Sequence, residues 1–234
     1  NRYNKIKGYW EVAVLIKAIL FDLDGTLIDT NELIVECFQY ALKEHLNVEV
    51  AREDVIKTFG EPLVFAMKKY GEENVDQLLN LFRKYQDTRH DILAKECEGV
   101  TAGIKVLKEA GLKIVLVTSK RRPMTERGLN LIDIYRYMDA VVAFEDTENH
   151  KPTGGPALKA CELLGVRPEE TIMVGDSHND ILCGKDAGCY TCLVRYTALP
   201  LEEMMSYEPD FIIDSLSELV EICENINMEL ENKN

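Results

Sequence analysis

What most constrains this chain is a rhythm of short apolar runs that end in polar residues or glycine, each followed by a helix-like pattern. The runs cover residues 16–21, 112–117, 140–144, 171–174 and 189–194, with a weaker one at 211–213. They are continuously apolar rather than alternating, as parallel strands covered on both faces should be. Helical patterns fill the intervals at 102–110, 124–131, 156–164, 179–187 and 215–225. Gly111, Gly165 and Gly188 stand where a glycine stops a helix. Alternating β and α elements predict an α/β fold with a Rossmann-like, doubly wound parallel sheet.

One region breaks the rhythm. Roughly ninety residues between the first run and Leu112 hold no convincing strand. Within 31–46, Leu33, Ile34, Phe38, Ala41, Leu42 and Leu46 share one helical face, and 75–93 repeats the pattern with Leu78, Leu79 and Phe82. This predicts an inserted all-α cap over residues 31–96, a lid above the C-terminal end of the first strand. The core is then 16–30 plus 97–234, preceded by an N-terminal tail at 1–15. One expectation for the tail is that translation begins at Leu15. Codons for Trp10-Glu11-Val12 can form a purine-rich ribosome-binding stretch, and leucine can be read from TTG. Mass-spectrometric detection of residues 1–14 in protein from the native host would refute it. The other expectation is a plain disordered or surface-packed tail. At the far end, residues 225–234 are expected to fray.

Charge narrows the partners. The 27 Lys+Arg stand against 41 Asp+Glu, a net charge of −14. Such a surface repels nucleic acid and anionic membranes, so neither is an expected partner. It also repels an anionic substrate, so any phosphate chemistry needs a local positive centre. No apolar stretch is long enough to span a bilayer, and the run at 12–21 ends in acids without a cleavage site. Seven cysteines, scattered through periodic apolar segments, fit reduced core thiols in a cytoplasmic protein. Cys189 and Cys192 have CxxC spacing but no second pair and no nearby histidine, so buried strand thiols are expected there.

Four short segments carry reactive groups. In Phe21-Asp22-Leu23-Asp24-Gly25, side chains two apart face the same way, so Asp22 and Asp24 converge beyond the strand end while Leu23 enters the core. Carboxylates can attack phosphorus, and a second one can handle the leaving group's proton. Gly25 permits a turn and close approach to an oxyanion. A plain acidic turn is the alternative. A calcium loop is excluded, because Leu27 and Leu33 occupy the positions that need glycine and glutamate. Thr118-Ser119 ends the second strand, where hydroxyls either bind phosphate oxygens or cap a helix. Lys151, fixed by Pro152, either sets an ammonium against a transferring phosphoryl or is a solvated surface lysine. Asp176 and Asp180 follow Gly175; carboxylate oxygens suit a hard ion such as Mg²⁺, although Asp176 alone could be a helix cap. His45, His90, His150 and His178 show no ligand spacing. All four segments sit at predicted C-terminal strand ends, the side on which open α/β sheets bind ligands. Like charges ~4 Å apart repel by roughly 4 kcal/mol at an effective dielectric near ~20. Asp22, Asp24, Asp176 and a phosphate therefore need compensating cations, which Mg²⁺ and Lys151 would supply.

Asp22-Leu23-Asp24-Gly25-Thr26, Thr118, Lys151-Pro152 and Gly175-Asp176-Ser177-x-x-Asp180, in that order, resemble the four motifs of the haloacid dehalogenase (HAD) superfamily. The likeness runs from about residue 16 to residue 222, and the helical insert resembles a C1-type cap. The resemblance implies that Asp22 attacks phosphorus, and that Asp24 protonates the leaving group and then activates water. Thr118 and Lys151 would hold phosphoryl oxygens. Asp22, Asp176 and the Asp24 backbone carbonyl would hold Mg²⁺, with Asp180 supporting them. Gly25, Thr26, Ser119 and Gly60 are the candidate substrate contacts. Gly60 lies in Thr58-Phe59-Gly60-Glu61-Pro62, a turn that either faces substrate or merely separates cap helices. Lys151-Pro152-Thr153-Gly154-Gly155-Pro156 lacks the middle proline usual in phosphatase relatives, which loosens the loop but keeps the lysine. An acid at position 24 separates the chain from dehalogenases and phosphonatases and favours phosphate ester or anhydride cleavage. Residues 29–34, 90–93 and 207–211 resemble a bacterial HAD-type inorganic pyrophosphatase, and phosphoglycolate phosphatases share the layout. The expected partner is a small phosphorylated substrate or pyrophosphate. Rival readings are a sugar-phosphate mutase, a non-catalytic phosphate-binding protein and a purely structural partner.

Overall fold

The computed structural model of the chain describes residues 3–6, 9–12 and 15–232. A hairpin opens the chain: β1 (Tyr3–Ile6) pairs antiparallel with β2 (Tyr9–Val12). Aromatic and branched residues such as Tyr9, Trp10 and Val12 favour extended backbone there. Residues 1, 2, 7, 8, 13 and 14 lie outside the described residues, so the expectations of a tail and of a start at Leu15 fall partly there.

The core begins with β3 (Ala18–Phe21) and a short β4 (Ile28–Asp29). Four helices follow: α1 (Asn31–Leu46), α2 (Arg52–Ile56), α3 (Leu63–Lys68) and α4 (Val75–Leu93). The chain returns through β5 (Lys95–Glu96), which pairs antiparallel with β4, so both crossings between helices and core lie side by side. Strands and helices then alternate: α5 (Val100–Glu109), β6 (Lys113–Val117), α6 (Arg122–Leu131), β7 (Ala140–Val142), α7 (Gly155–Leu164), β8 (Thr171–Gly175) and α8 (His178–Ala187). The series ends with β9 (Tyr190–Val194), α9 (Leu201–Met205), β10 (Phe211–Ile213) and α10 (Glu218–Asn232).

One six-stranded sheet runs in the order β10-β9-β8-β3-β6-β7, with every neighbouring pair parallel. Its continuous apolar runs have a direct cause. Ile19, Phe21, Ile114, Leu116, Ile172 and Val174 join the packing cluster on one face, with Ile104 of α5 and Leu219 of α10. The residues between them, Leu20, Val115, Val117 and Met173, join the cluster on the other face, with Ala160 of α7 and Cys183 of α8. Alternate side chains thus need apolar character for two different cores. After β3 the chain builds outward through β6 and β7, then returns to β8 on β3's other side. This places a topological switch point beside β3, where such sheets bind ligands.

Helices α1 and α4 pack on each other through Phe38 and Phe82, edge to face at 5.4 Å, and through Tyr40 stacked on Tyr85 at 4.4 Å. The C-terminal helix is longer than the fraying expected from residue 225. Leu219, Cys223 and Ile226 lie on one face and are buried, and the Ile16 N–H donates to Asn227 Oδ1 at 2.8 Å. All seven cysteines, Cys189 and Cys192 included, are buried free thiols. Among the described residues no helix is long and apolar enough to cross a membrane.

Glu170 pins the entry edge of the sheet. Its carboxylate accepts from the Arg167 backbone N–H at 2.8 Å and from Lys17 Nζ at 2.6 Å. Burial works against its charge, but these donors outweigh that and hold it below the usual glutamate range. A depressed pKa contributes stability above the unfolded value of 4.5, and that stability is lost as pH falls through the folded value. Glu170→Gln is expected to cost about 1–3 kcal/mol at pH 7, with the difference from wild type vanishing in acid. Thermal unfolding across pH checks this; a gap that persists at low pH would show the charge to be irrelevant.

Candidate active site

Four loops leave the C-terminal ends of neighbouring strands and meet at the switch point. Asp22 follows β3 directly, and its backbone N–H donates to Val174 O of β8 at 2.9 Å. Thr118 follows β6 and is tied to Val142 O of β7 at 2.9 Å. Lys151 lies on the loop after β7, and Asp176 follows β8. Asp22, Thr118 and Asp176 are each the first residue beyond a strand, because the apolar strand ends where the side chains turn polar, whereas Lys151 reaches the site from farther along its loop.

Lys151 is the electrostatic centre. Its Nζ donates to Asp22 Oδ1 at 2.9 Å and to Asp180 Oδ1 at 2.6 Å, with all three side chains buried. Asp180 is further held through Oδ2 by the Ser177 backbone N–H at 3.1 Å and hydroxyl at 2.7 Å. The bond from the Ser177 N–H is one half of a capping box at the start of α8. Burial pushes the Asp22 carboxyl up to about 7, with Lys151 pulling it down and Asp180 and Asp24 adding repulsion. Asp176 is raised well above its ordinary value by burial, then by Asp180 and Asp22. Burial disfavours the Lys151 charge, yet Asp180 and Asp22 keep it protonated above the usual lysine range.

Carboxylate oxygens of Asp22, Asp176 and Asp180 lie within 4.8 Å of one another. Three buried acids against one buried ammonium leave uncompensated negative charge, which adds to burial in raising Asp22 and Asp176. A hard divalent cation with oxygen ligands relieves that repulsion, so the donor set fits such an ion. Gly25 belongs to this geometry. Its φ is +77°, and a Cβ there would sit 2.3 Å from Asp176 Oδ2. Only glycine lets the turn pass so close over the acid.

Asp24 stands apart from that triad. Its Oδ1 accepts from Thr30 Oγ1 at 2.6 Å and from Lys120 Nζ. Asp24 already belongs to a turn bridged to Ile28 rather than to the strand, so its carboxylate takes different partners from Asp22. Both acids, with Thr118, Ser119 and Gly60, line one cavity of about 370 Å³ between the strand ends and helices α1, α3 and α4. Ser119 Oγ donates to Gly60 O at 3.3 Å, a direct bond from core to helical insert. Gly60 has φ +81°, and a Cβ there would meet Ser177 Oγ at 2.5 Å.

Gly25 and Thr26 do not line the cavity. Thr26 is fully buried, and its backbone carbonyl accepts from Tyr196 OH at 2.9 Å. His150 stacks on Phe144 at 4.0 Å, and burial lowers its pKa. Two participants escaped the sequence reading. Lys120 is two residues beyond Thr118, so strand parity could have aimed it at the same site. Thr30 gives no local signal, since it reaches Asp24 only because the intervening turn folds back.

Residues 19–194 match the family described as haloacid dehalogenase-like hydrolase. A Clostridium perfringens protein, provisionally named pyrophosphatase PpaX, is 46% identical over 213 residues, covering 91% of this chain and 100% of that protein. The pyrophosphatase PpaX of Bacillus cereus (strain B4264) is 41% identical over 212 residues, covering 91% of this chain and 98% of its own. Among solved structures, a provisionally assigned haloacid dehalogenase-like hydrolase from Bacteroides fragilis superposes with a TM-score of 0.81 at 25% identity. The match covers 87% of this chain and 99% of that one. By its matched residues, its four strand-end motifs and its fold, this chain belongs to the haloacid dehalogenase-like hydrolase family.

Proposed function

We propose that this chain is a Mg²⁺-dependent phosphohydrolase acting on inorganic pyrophosphate through an aspartyl-phosphate on Asp22. The observation that carries the reading is Asp22 itself, a buried carboxylate bonded to Lys151 at 2.9 Å and opening onto the cavity. The substrate follows from relatives named pyrophosphatase PpaX at 40–46% identity over nine-tenths of this chain.

An Asp22 oxygen attacks phosphorus, and the second phosphate leaves with its bridging oxygen. Asp24 gives that oxygen a proton, then takes one from the water that hydrolyses the acyl phosphate. Both contacts to Asp24 fall on Oδ1, so Oδ2 is the oxygen assigned to proton transfer. Thr118 and Lys151 hold the transferring oxygens and match the charge that develops on them. Mg²⁺ would be held by Asp22, Asp176 and the Asp24 carbonyl, with Asp180 fixing Lys151; when bound it neutralises phosphate charge. Helices α1–α4, residues 31–96, act as a cap that excludes water around the site. Seven buried free thiols support a reducing cytoplasmic setting.

A second reading is a small organic phosphomonoester such as phosphoglycolate. It is favoured by the cavity's size and by walls that include Phe38, Phe82 and Leu63. Phosphate release from pyrophosphate and phosphoglycolate, side by side with Mg²⁺ or EDTA, separates the two. Faster release from pyrophosphate, abolished by EDTA, is expected. Preference for phosphoglycolate would replace the substrate, and turnover indifferent to EDTA would remove the metal.

A further inference from the structure

The cavity's cations are partnered unequally. Lys120 is bonded to Asp24, and Arg121 is paired with Glu145 at 3.3 Å. Arg83, on α4, lines the same cavity but forms no ion pair among the described residues, and its Nε is buried with no hydrogen-bond partner among them. A guanidinium does not shed its proton in proteins, so an orphaned N–H of this kind marks a missing acceptor. Its nearest charged influences make the deficit worse. Burial and then Arg121 both act against the Arg83 charge, and only Glu145, already engaged by Arg121, acts for it. Arg83 and Arg121 line the same cavity, whose carboxylates besides Asp22 and Asp24 are Glu61 and Asp87, engaged by Lys69 and Arg127. The one carboxylate that acts on Arg83 is already paired with Arg121, so the charge balance leaves room for one more anion. The apolar wall from Phe82 lowers the local dielectric and strengthens any such contact.

Arg83 lies on the helical insert, whereas Asp22 and Lys151 lie on the core, so an anion at Arg83 would span the two. We propose that Arg83 is the specificity-determining residue that receives the anionic group of the substrate that is not transferred, while the phosphoryl group reacts at Asp22. This rests on the reading of Asp22 as nucleophile. It requires a substrate with two anionic ends, either the second phosphate of pyrophosphate or the carboxylate of a phosphorylated acid. A phosphomonoester with a neutral leaving group has nothing to offer Arg83.

The test is steady-state kinetics of wild type, Arg83→Met and Arg83→Lys with Mg²⁺ on pyrophosphate, phosphoglycolate and p-nitrophenyl phosphate. Arg83→Met is expected to lower kcat/KM for the doubly anionic substrate roughly 10- to 100-fold, mostly through KM, as the loss of a charge-assisted bond implies. Arg83→Lys should recover part of that loss. The p-nitrophenyl phosphate reaction should change by no more than about threefold, a split that general damage to the fold would not produce. Whichever doubly anionic substrate shows the loss identifies the group that Arg83 holds. Equal losses on all three substrates, or no loss on any, would overturn the assignment. Wild type inactive on all three would instead overturn the Asp22 reading.

Discussion

Replacing Asp22 by Asn is expected to abolish phosphate release, with kcat falling about 10⁴-fold or more, as loss of a covalent nucleophile does elsewhere. The fold should survive. Burial disfavours the Asp22 charge, and an amide of the same shape removes that cost. Lys151 keeps its 2.6 Å bond to Asp180. Thermal unfolding in EDTA should therefore show a Tm equal to or above wild type. Activity near the wild-type rate would remove Asp22 from the chemistry, and a large drop in Tm would show the carboxylate to be structural.

Lys151→Met is expected to fail in the opposite way, losing stability and turnover together. The substitution preserves volume but leaves Asp22 and Asp180 buried without their shared ammonium. Removing one partner of a buried ion pair typically costs about 3–5 kcal/mol. For a chain of this size that is a fall in Tm of roughly 10 °C. Added Mg²⁺ should restore part of the Tm, because a cation at the acids replaces some of the lost charge, but not the rate. A Tm unchanged in EDTA would mean that the three groups are not coupled as their 2.6 Å and 2.9 Å contacts imply. Measured together, the two variants separate a residue that reacts from one that also holds the site in shape.

The sheet was legible because its strands serve two cores, which writes an unbroken apolar run into each. Asp22, Thr118 and Asp176 were legible for the same reason, since each stands where such a run stops. The carboxylates of Asp22 and Asp24 illustrate the limit of that logic. Parity brought both to one cavity, but a turn at Asp24 redirected its side chain to Lys120 and Thr30. The bond from Ser119 to Gly60 and the position of Arg83 depend on how the helices sit on the core. No local pattern encodes that packing. The end of the C-terminal helix went the other way: the polar composition of 225–234 suggested fraying, while the helix continues to Asn232 and Ile226 is buried.

The adjacent crossings at β4 and β5 have an evolutionary consequence. Because Ile28 faces Glu96 and Asp29 faces Lys95, the helices hang from the core as a cassette whose two ends are stitched at its base. Lengthening, trimming or rewriting that cassette leaves the sheet's register alone. The hydrolytic machinery can thus stay fixed while descendants trade one choice of phosphate compound for another.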